Sequence, residues 1–404
     1  MRQRAVAIFD AGVAAADPAR AVLKSLDESA LPAFAGRLIV ISLGKGAVGM
    51  ARAALSRLRA DQAIIVTNTE NAIEVDGATV FAAGHPVPDE VGLTAGMAVQ
   101  SALQGVGKDD HVLMLISGGG SALLPAPVAG LDLADKVAVN QLLLGAGMDI
   151  TAMNLVRQNL SRLKGGGFVR YADPALVTAL ILSDVVGDDL AVVASGPTVA
   201  PLGSGADARA ALVAADIWQQ MPVAVQAVLG RVQSPGVDMA RVQNRLIGSN
   251  TMSVKAMAAV APDASVYPHA LDGDVSDAAG IITRCKKAGT WLFGGETTVR
   301  LAGHGRGGRN QELALRVALL AQKQGWSGDW VFLSAGTDGR DGPTDAAGGL
   351  VDGATLARMR RAGLDPAAVL VNNDSYHGLK AAGDLLITGA TGTNVADLQV
   401  LIRG

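Results

Sequence analysis

Arg37-Leu-Ile-Val-Ile-Ser-Leu43, followed at once by Gly44-Lys-Gly-Ala-Val-Gly49, decides the fold. An apolar run of strand length, rich in branched residues, is what a parallel strand buried on both faces requires. The glycines then turn the chain, and Ala51, Ala54, Leu55 and Leu58 recur at helical spacing. Strand, glycine turn and helix open a doubly wound sheet, and the spacing is formally the G-x-G-x-x-G of dinucleotide sites. Glu70, beyond a second strand over residues 63–67, stands where a ribose-binding acid would belong. Lys45 suits that role poorly, because a cation inside the turn favours direct pairing with a carboxylate or phosphate.

The same construction recurs along the chain. His111-Val-Leu-Met-Leu-Ile-Ser117 is the next buried strand, and Gly118, Gly119, Gly120 and Ser121 follow it. Glycines at the carboxyl end of a parallel strand make a backbone nest for phosphates, to which Ser117 and Ser121 add hydroxyls. No Walker sequence occurs. Residues 177–182 form a further strand leading to Asp184 and Asp188, at the strand end where α/β enzymes place their chemistry. These carboxylates are candidate Mg²⁺ ligands, with Asp184 also a candidate base. Arg157 and Lys164, on an expected helix ending at Gly165, are candidate phosphate partners, although cations there also complement a helix dipole. Gly84-His-Pro-Val-Pro-Asp89 holds His85 beside a helix start, where it can touch a ligand or bond backbone.

The second half is organised on Gly294-Gly-Glu-Thr-Thr-Val-Arg-Leu-Ala-Gly-His-Gly-Arg-Gly-Gly-Arg-Asn-Gln-Glu312. It reads as a strand, a turn, a returning strand over residues 297–302, a glycine loop and a helix capped by Asn310. Backbone N–H groups of the loop, the helix start, Arg306 and Arg309 make it an expected anion site. Asp338, Asp341 and Asp345 alternate with glycines without the spacing of an EF-hand. The chain ends in a strand over 384–388, a turn, and an antiparallel return from Asp397.

Composition bounds the rest. Hydrophobic residues reach 50% with only 3% aromatics, so the core is built from aliphatic side chains. A net charge of −3 offers no basic field for nucleic acid. The single cysteine, Cys285, excludes an internal disulfide, and no apolar run approaches a membrane span. Asp10 and Asp17 interrupt any signal-like segment, so a soluble cytoplasmic protein is expected. The expected architecture is α/β in two domains. Residues 1–235 form a Rossmann-like parallel sheet with helices on both faces, and residues 236–404 an α/β domain with a mixed sheet.

Taken together, Gly44-Lys-Gly-Ala, Gly84-His-Pro-Val-Pro-Asp, Ser117-Gly-Gly-Gly-Ser-Ala-Leu-Leu, Ser183-Asp-Val-Val-Gly-Asp with Ala194-Ser-Gly-Pro-Thr, Gly294-Gly-Glu, Gly307-Gly-Arg-Asn-Gln-Glu and Thr388-Gly-Ala-Thr-Gly-Thr-Asn resemble the class II glycerate kinases, whose C-terminal part is the MOFRL domain. The motifs run in order over essentially the whole chain. The resemblance implies an active site in the cleft between two domains. It also implies Mg²⁺-dependent transfer of the ATP γ-phosphoryl to the 2-hydroxyl of D-glycerate, giving 2-phosphoglycerate. The lysine and arginine tied to activity in that family fall on Lys45 and Arg309. One departure is Gly46, where the family commonly has alanine.

Two other readings stand beside this one. An NAD(P)H-dependent hydroxypyruvate reductase would use the Gly44 turn and Glu70. A non-catalytic sugar-acid or nucleotide-binding protein would need the loops but gains nothing from carboxylates at strand ends. A serine hydrolase lacks its G-x-S-x-G elbow. The sequence leaves the exact hydroxy acid, the divalent ion and the oligomeric state open.

Overall fold

The structure, a computed structural model, describes residues 1–231 and 236–404. The expected domain boundary near residue 235 lies outside the described residues. The chain divides into two compact units, Pro18–Ile247 and Gly248–Gly404, the latter joined by Met1–Asp17. The first helix, Arg2–Ala15, thus belongs to the C-terminal unit and not to the Rossmann-like one.

Among the described residues the first unit contains a six-stranded sheet. Its strands are β1 (Leu38–Leu43), β2 (Gln62–Asn68), β3 (Thr79–Ala83), β4 (His111–Ile116), β5 (Leu176–Leu182) and β6 (Val242–Gly248). The order is β3-β2-β1-β4-β5-β6, and β1 to β5 run parallel. Both β1 and β4 are buried along their whole length, as unbroken apolar runs require. One face, carrying Ile39, Ile41, Val112, Met114 and Ile181, packs with Val99 and Leu103 of helix Glu90–Leu103 and with Phe168. Helices Pro18–Glu28 and Ala47–Leu55 also pack against the sheet. A separate apolar cluster joins helices Leu133–Gly145, Ile150–Asn159, Gly205–Ala214 and Val223–Leu229. The strand order reverses between β1 and β4, and their carboxyl ends open the crevice where such sheets bind ligands.

The second unit carries β7 (Ser265–Val266), β8 (Leu271–Asp274), β9 (Gly289–Thr298), β10 (Trp330–Gly336), β11 (Gly348–Asp352), β12 (Leu385–Leu386) and β13 (Asp397–Arg403). Its sheet is mixed, with order β12-β11-β10-β13-β9-β7 and β8 beside β9. Leu292, Leu333, Leu398 and Val400 face Ile8, Phe9, Val254 and Met257 on one side. Phe293, Phe332, Val351 and Leu401 face Leu313, Val317, Ile282 and Leu379 on the other. Gly12 keeps the first helix close: a Cβ there would lie 2.7 Å from Leu398 Cδ1.

Three local expectations change here. The hairpin expected after Gly294 does not form, because β9 runs on through Gly295 and pairs in parallel with β8. A side chain at Gly295 would meet the Leu271 carbonyl oxygen at 2.2 Å, so the two glycines serve strand contact and not a turn. The last strand, β13, does not return against β12. It inserts between β9 and β10, antiparallel to both, while β12 pairs with β11. The helix expected to reach Gly165 stops at Asn159, which leaves Lys164 in a loop.

Phe332 is fully buried between β10 and the helices above it, so Phe332→Ala is expected to cost about 3–5 kcal/mol through transfer and cavity terms. A fall in the denaturant midpoint of the second unit measures this; a loss below about 1 kcal/mol would contradict the packing.

Candidate active site

In the first unit the expected site residues gather at the carboxyl ends of β1, β3, β4 and β5. The two glycine turns interlock. Gly44 donates its N–H to the Val66 carbonyl (3.0 Å) and Lys45 donates to the Gly118 carbonyl (2.9 Å). Gly46 N–H donates to Ser117 Oγ at 2.9 Å. Glycine is required at position 44, where φ is +118° and a side chain would strike Ser117. The N–H groups of Gly44, Lys45 and Gly46 are therefore spent on their neighbours. Those of Gly118, Gly119 and Gly120 donate to no group among the described residues. The second turn is the open nest.

Three side chains press on that nest. A Cβ on Gly118 would lie 2.0 Å from Asp184 Oδ2, and one on Gly119 would lie 3.2 Å from Lys45 Cγ and 3.3 Å from His85 Nε2. Burial pushes the Asp184 carboxyl up, while its own backbone N–H and the Lys45 charge pull it down. Burial and then the Lys45 charge lower His85, with Glu70 opposing. The imidazole is thus kept neutral near pH 7, beside Lys45. Asp89 accepts from Gly92 N–H and caps the following helix.

The remaining residues have other employment. Ser195 Oγ donates to Asn154 Oδ1, so in its contact with Ser121 it receives the Ser121 proton. The Ser121 hydroxyl proton is directed inward, away from the nest. Lys164 is buried and donates to the Ser121 carbonyl, holding the nest from beneath. Asp188 has a left-handed backbone (φ +57°) and a buried Oδ1 without a hydrogen-bond partner.

In the second unit Arg309 begins helix Arg309–Lys323. Its Nε donates to Asp397 Oδ2 (2.6 Å) and Nη2 to Asp397 Oδ1 (3.0 Å), a bidentate pair with a fully buried carboxylate. Glu296 meets Nη1 at 3.0 Å. Burial opposes the cation, but the hydrogen bonds and charge of Asp397, and then the charge of Glu296, hold it protonated more firmly than a free arginine. Nothing local in the sequence marks Asp397 and Glu296 as partners of Arg309. Their only sequence signal is that they are acids on apolar strands.

Asn310 does not cap this helix. Gly308 occupies the cap position, and the buried Asp341 carboxylate, from the loop after β10, accepts from Asn310 N–H (3.0 Å) and Gln311 N–H (2.8 Å). A side chain at Gly308 would meet Asp341 at 2.3 Å, which is why glycine stands there. The preceding glycine loop is closed as well. Ala302 and Gly303 donate to Asn373 Oδ1, His304 to Asn372 Oδ1, Gly305 to the Asn372 carbonyl and Arg306 to Asp374 Oδ1. Arg306 lies over the Tyr376 ring and donates to the Pro343 carbonyl. That loop is a structural clasp, and its N–H groups from Ala302 to Arg306 are not open to an anion.

No group of three or more His, Cys, Asp or Glu side chains is placed to hold a metal among the described residues. Magnesium fits nonetheless, because it typically takes one or two carboxylates and completes its shell with phosphates and water. Asp184, against an open phosphate nest, and the unpartnered Asp188 oxygen suit it.

A parallel sheet with an open nest at its switch point, flanked by a lysine and a carboxylate, is the kind of site at which α/β proteins hold phosphates. Residues 4–230 match a domain of unknown function (DUF4147) and residues 289–397 match the MOFRL family. The chain is 38% identical to the D-glycerate 2-kinase of Thermotoga maritima, over 99% of this chain and 98% of that one. It is 42% identical to an Agrobacterium vitis protein with a provisional hydroxypyruvate reductase name, over 98% of this chain and 93% of that one. The crystal structure of a Thermotoga maritima glycerate kinase superposes with a TM-score of 0.92 at 36% identity, covering 100% of this chain and 99% of that one. The chain belongs to the class II glycerate kinase family.

Asp341 yields a pH signature. Burial, reinforced by the Asp397 charge, raises its carboxyl to about 6 against the hydrogen bonds it accepts. Between about pH 4 and 6 the folded state holds a proton that the unfolded chain has lost, so this group's contribution to stability falls as pH rises. Relative to Asp341→Asn, the native protein is expected to lose on the order of 2–3 kcal/mol of stability between about pH 4 and pH 7. A difference in chemical denaturation that does not vary with pH would contradict the raised value.

Proposed function

We propose that the chain phosphorylates the 2-hydroxyl of D-glycerate with ATP, giving 2-phosphoglycerate. The observation that carries this reading is the allocation of backbone donors: those of the Gly118 nest are open, and Lys45 stands beside them. Phosphoryl transfer asks a protein chiefly for positioning and for neutralising charge. In this reading the Gly118–Gly120 N–H groups cradle the nucleotide phosphates. Lys45 neutralises charge on the transferring group, and Arg309, held flat by Asp397, binds the glycerate carboxylate. Asp184 and Asp188 would hold Mg²⁺, which when bound would neutralise phosphate charge. Asp184, raised by burial, is the group suited to take the 2-hydroxyl proton. Ser117 shapes the nest by fastening it to the first turn, and Lys164 supports it through Ser121.

The hydroxypyruvate reductase reading rests on names carried by relatives and on the G-x-G-x-x-G spacing. A dinucleotide pyrophosphate would need the N–H groups of the Gly44 turn, and those of Gly44, Lys45 and Gly46 are bonded to Val66, Gly118 and Ser117. The kinase reading therefore stands first. No helix among the described residues is long and apolar enough to cross a membrane, and we take the enzyme to act in the cytoplasm on small molecules.

A coupled assay tests this reading: D-glycerate, ATP and Mg²⁺ with enolase to report 2-phosphoglycerate, and NADH with hydroxypyruvate in parallel. Enolase-competent product without NADH oxidation is expected. Lys45→Ala and Arg309→Ala should each lower kcat/KM by about 10³-fold or more with the fold retained. NADH oxidation without ATP consumption, or near-native kinetics in either variant, would overturn the assignment.

A further inference from the structure

Lys136, Arg157 and Lys164 gather in the first unit without an acid. Lys136 is buried on helix Leu133–Gly145 and donates to the Leu160 carbonyl. Arg157 donates to Asn140 Oδ1, and Lys164 to the Ser121 carbonyl. None of the three forms an ion pair among the described residues. Burial, and then the charge of its neighbours, holds Lys164 well below the usual lysine range; burial and the Arg157 charge bring Lys136 to about 7. Buried cations without a counter-charge are costly, and an anion relieves the cost.

Of the three, Lys164 alone lines a cavity of about 300 Å³. Buried Lys164 lies in its wall with exposed Arg170 and Arg231, Asn159 and Ser161, and among the described residues no aspartate or glutamate lines it. We propose that this cavity is a binding site for a small phosphomonoester, separate from the nucleotide's nest. The volume lies at the lower end of small-molecule pockets, about 300–1,000 Å³, and suits a phosphate on a few carbon atoms better than a whole nucleotide. A dianion in the cavity would favour the protonated form of Lys164, and Arg170 and Arg231 supply planar donors for phosphate oxygens. Neither Lys45 nor any residue of the Ser117–Ser121 turn lines the cavity. Lys164 is the link: an occupant that draws its ammonium away from the Ser121 carbonyl loosens the end of the nest. The proposal does not depend on the kinase reading.

The test is calorimetric titration of the full chain with glycerol 3-phosphate and, separately, with ADP. Wild type, Lys45→Ala and the double variant Arg170→Ala/Arg231→Ala are compared. Both arginines of the double variant are exposed, so a near-native thermal midpoint is expected. Glycerol 3-phosphate should bind wild type and Lys45→Ala alike and lose at least about tenfold in affinity in the double variant, with ADP unchanged. The proposal fails if glycerol 3-phosphate does not bind wild type at millimolar concentration, or binds the double variant equally. It also fails if Lys45→Ala abolishes that binding, which would put the ligand in the active site. A parallel loss of ADP affinity in the double variant would give the cavity to the nucleotide and overturn it as well.

Discussion

The first unit depends on one constraint: a buried backbone N–H must find an acceptor or a ligand. Where β1 and β4 lie side by side, two glycine turns meet, and Ser117 accepts from one while standing at the head of the other. The bonds from Gly44, Lys45 and Gly46 close the first turn against its neighbours. What remains open is the second turn, with Gly119 in a left-handed conformation (φ +85°) and Asp184 in contact with Gly118. The reversal of strand order makes this possible, because only there do consecutive connections diverge and leave the strand ends uncovered. Lys45 owes its position to the same interlock, since its own backbone is bonded to the turn its side chain overlies.

The second unit solves the same accounting with side chains distant in sequence. Arg309 is aligned by Asp397 at the start of β13, and the helix that carries it is capped by Asp341 from the loop after β10. The glycine loop before it is clasped by Asn372, Asn373 and Asp374. A bidentate pair with a buried carboxylate restrains a guanidinium far better than an exposed contact can, so the charge is presented with little orientational freedom left to lose. Insertion of β13 between β9 and β10 places Asp397 there; a simple terminal hairpin would have left it at a sheet edge.

Much of this was legible in the residues because it is local. Apolar runs specified β1, β4 and β5, glycines marked the turns after them, and Asp17-Pro18 marked the break between the first two helices. The order of motifs was enough to indicate the family, since their spacing reflects chemistry needed at successive strand ends. The parallel sheet of the first unit and the mixed sheet of the second follow the expected α/β architecture.

What the residues could not disclose is which polar groups satisfy which others. Two glycine turns of similar composition differ in the backbone donors they leave open because one is bonded to its neighbours and the other is not, and that depends on strand adjacency. Asn310 has the right chemistry for a cap yet yields the role to Asp341, thirty-one positions away, because a buried carboxylate meets two helix N–H groups at once. The first helix joins the C-terminal unit because one apolar face of that unit's sheet needs covering. Sequence determines periodicity and turn chemistry over a few residues; partners far apart in the chain are chosen only when the sheets close.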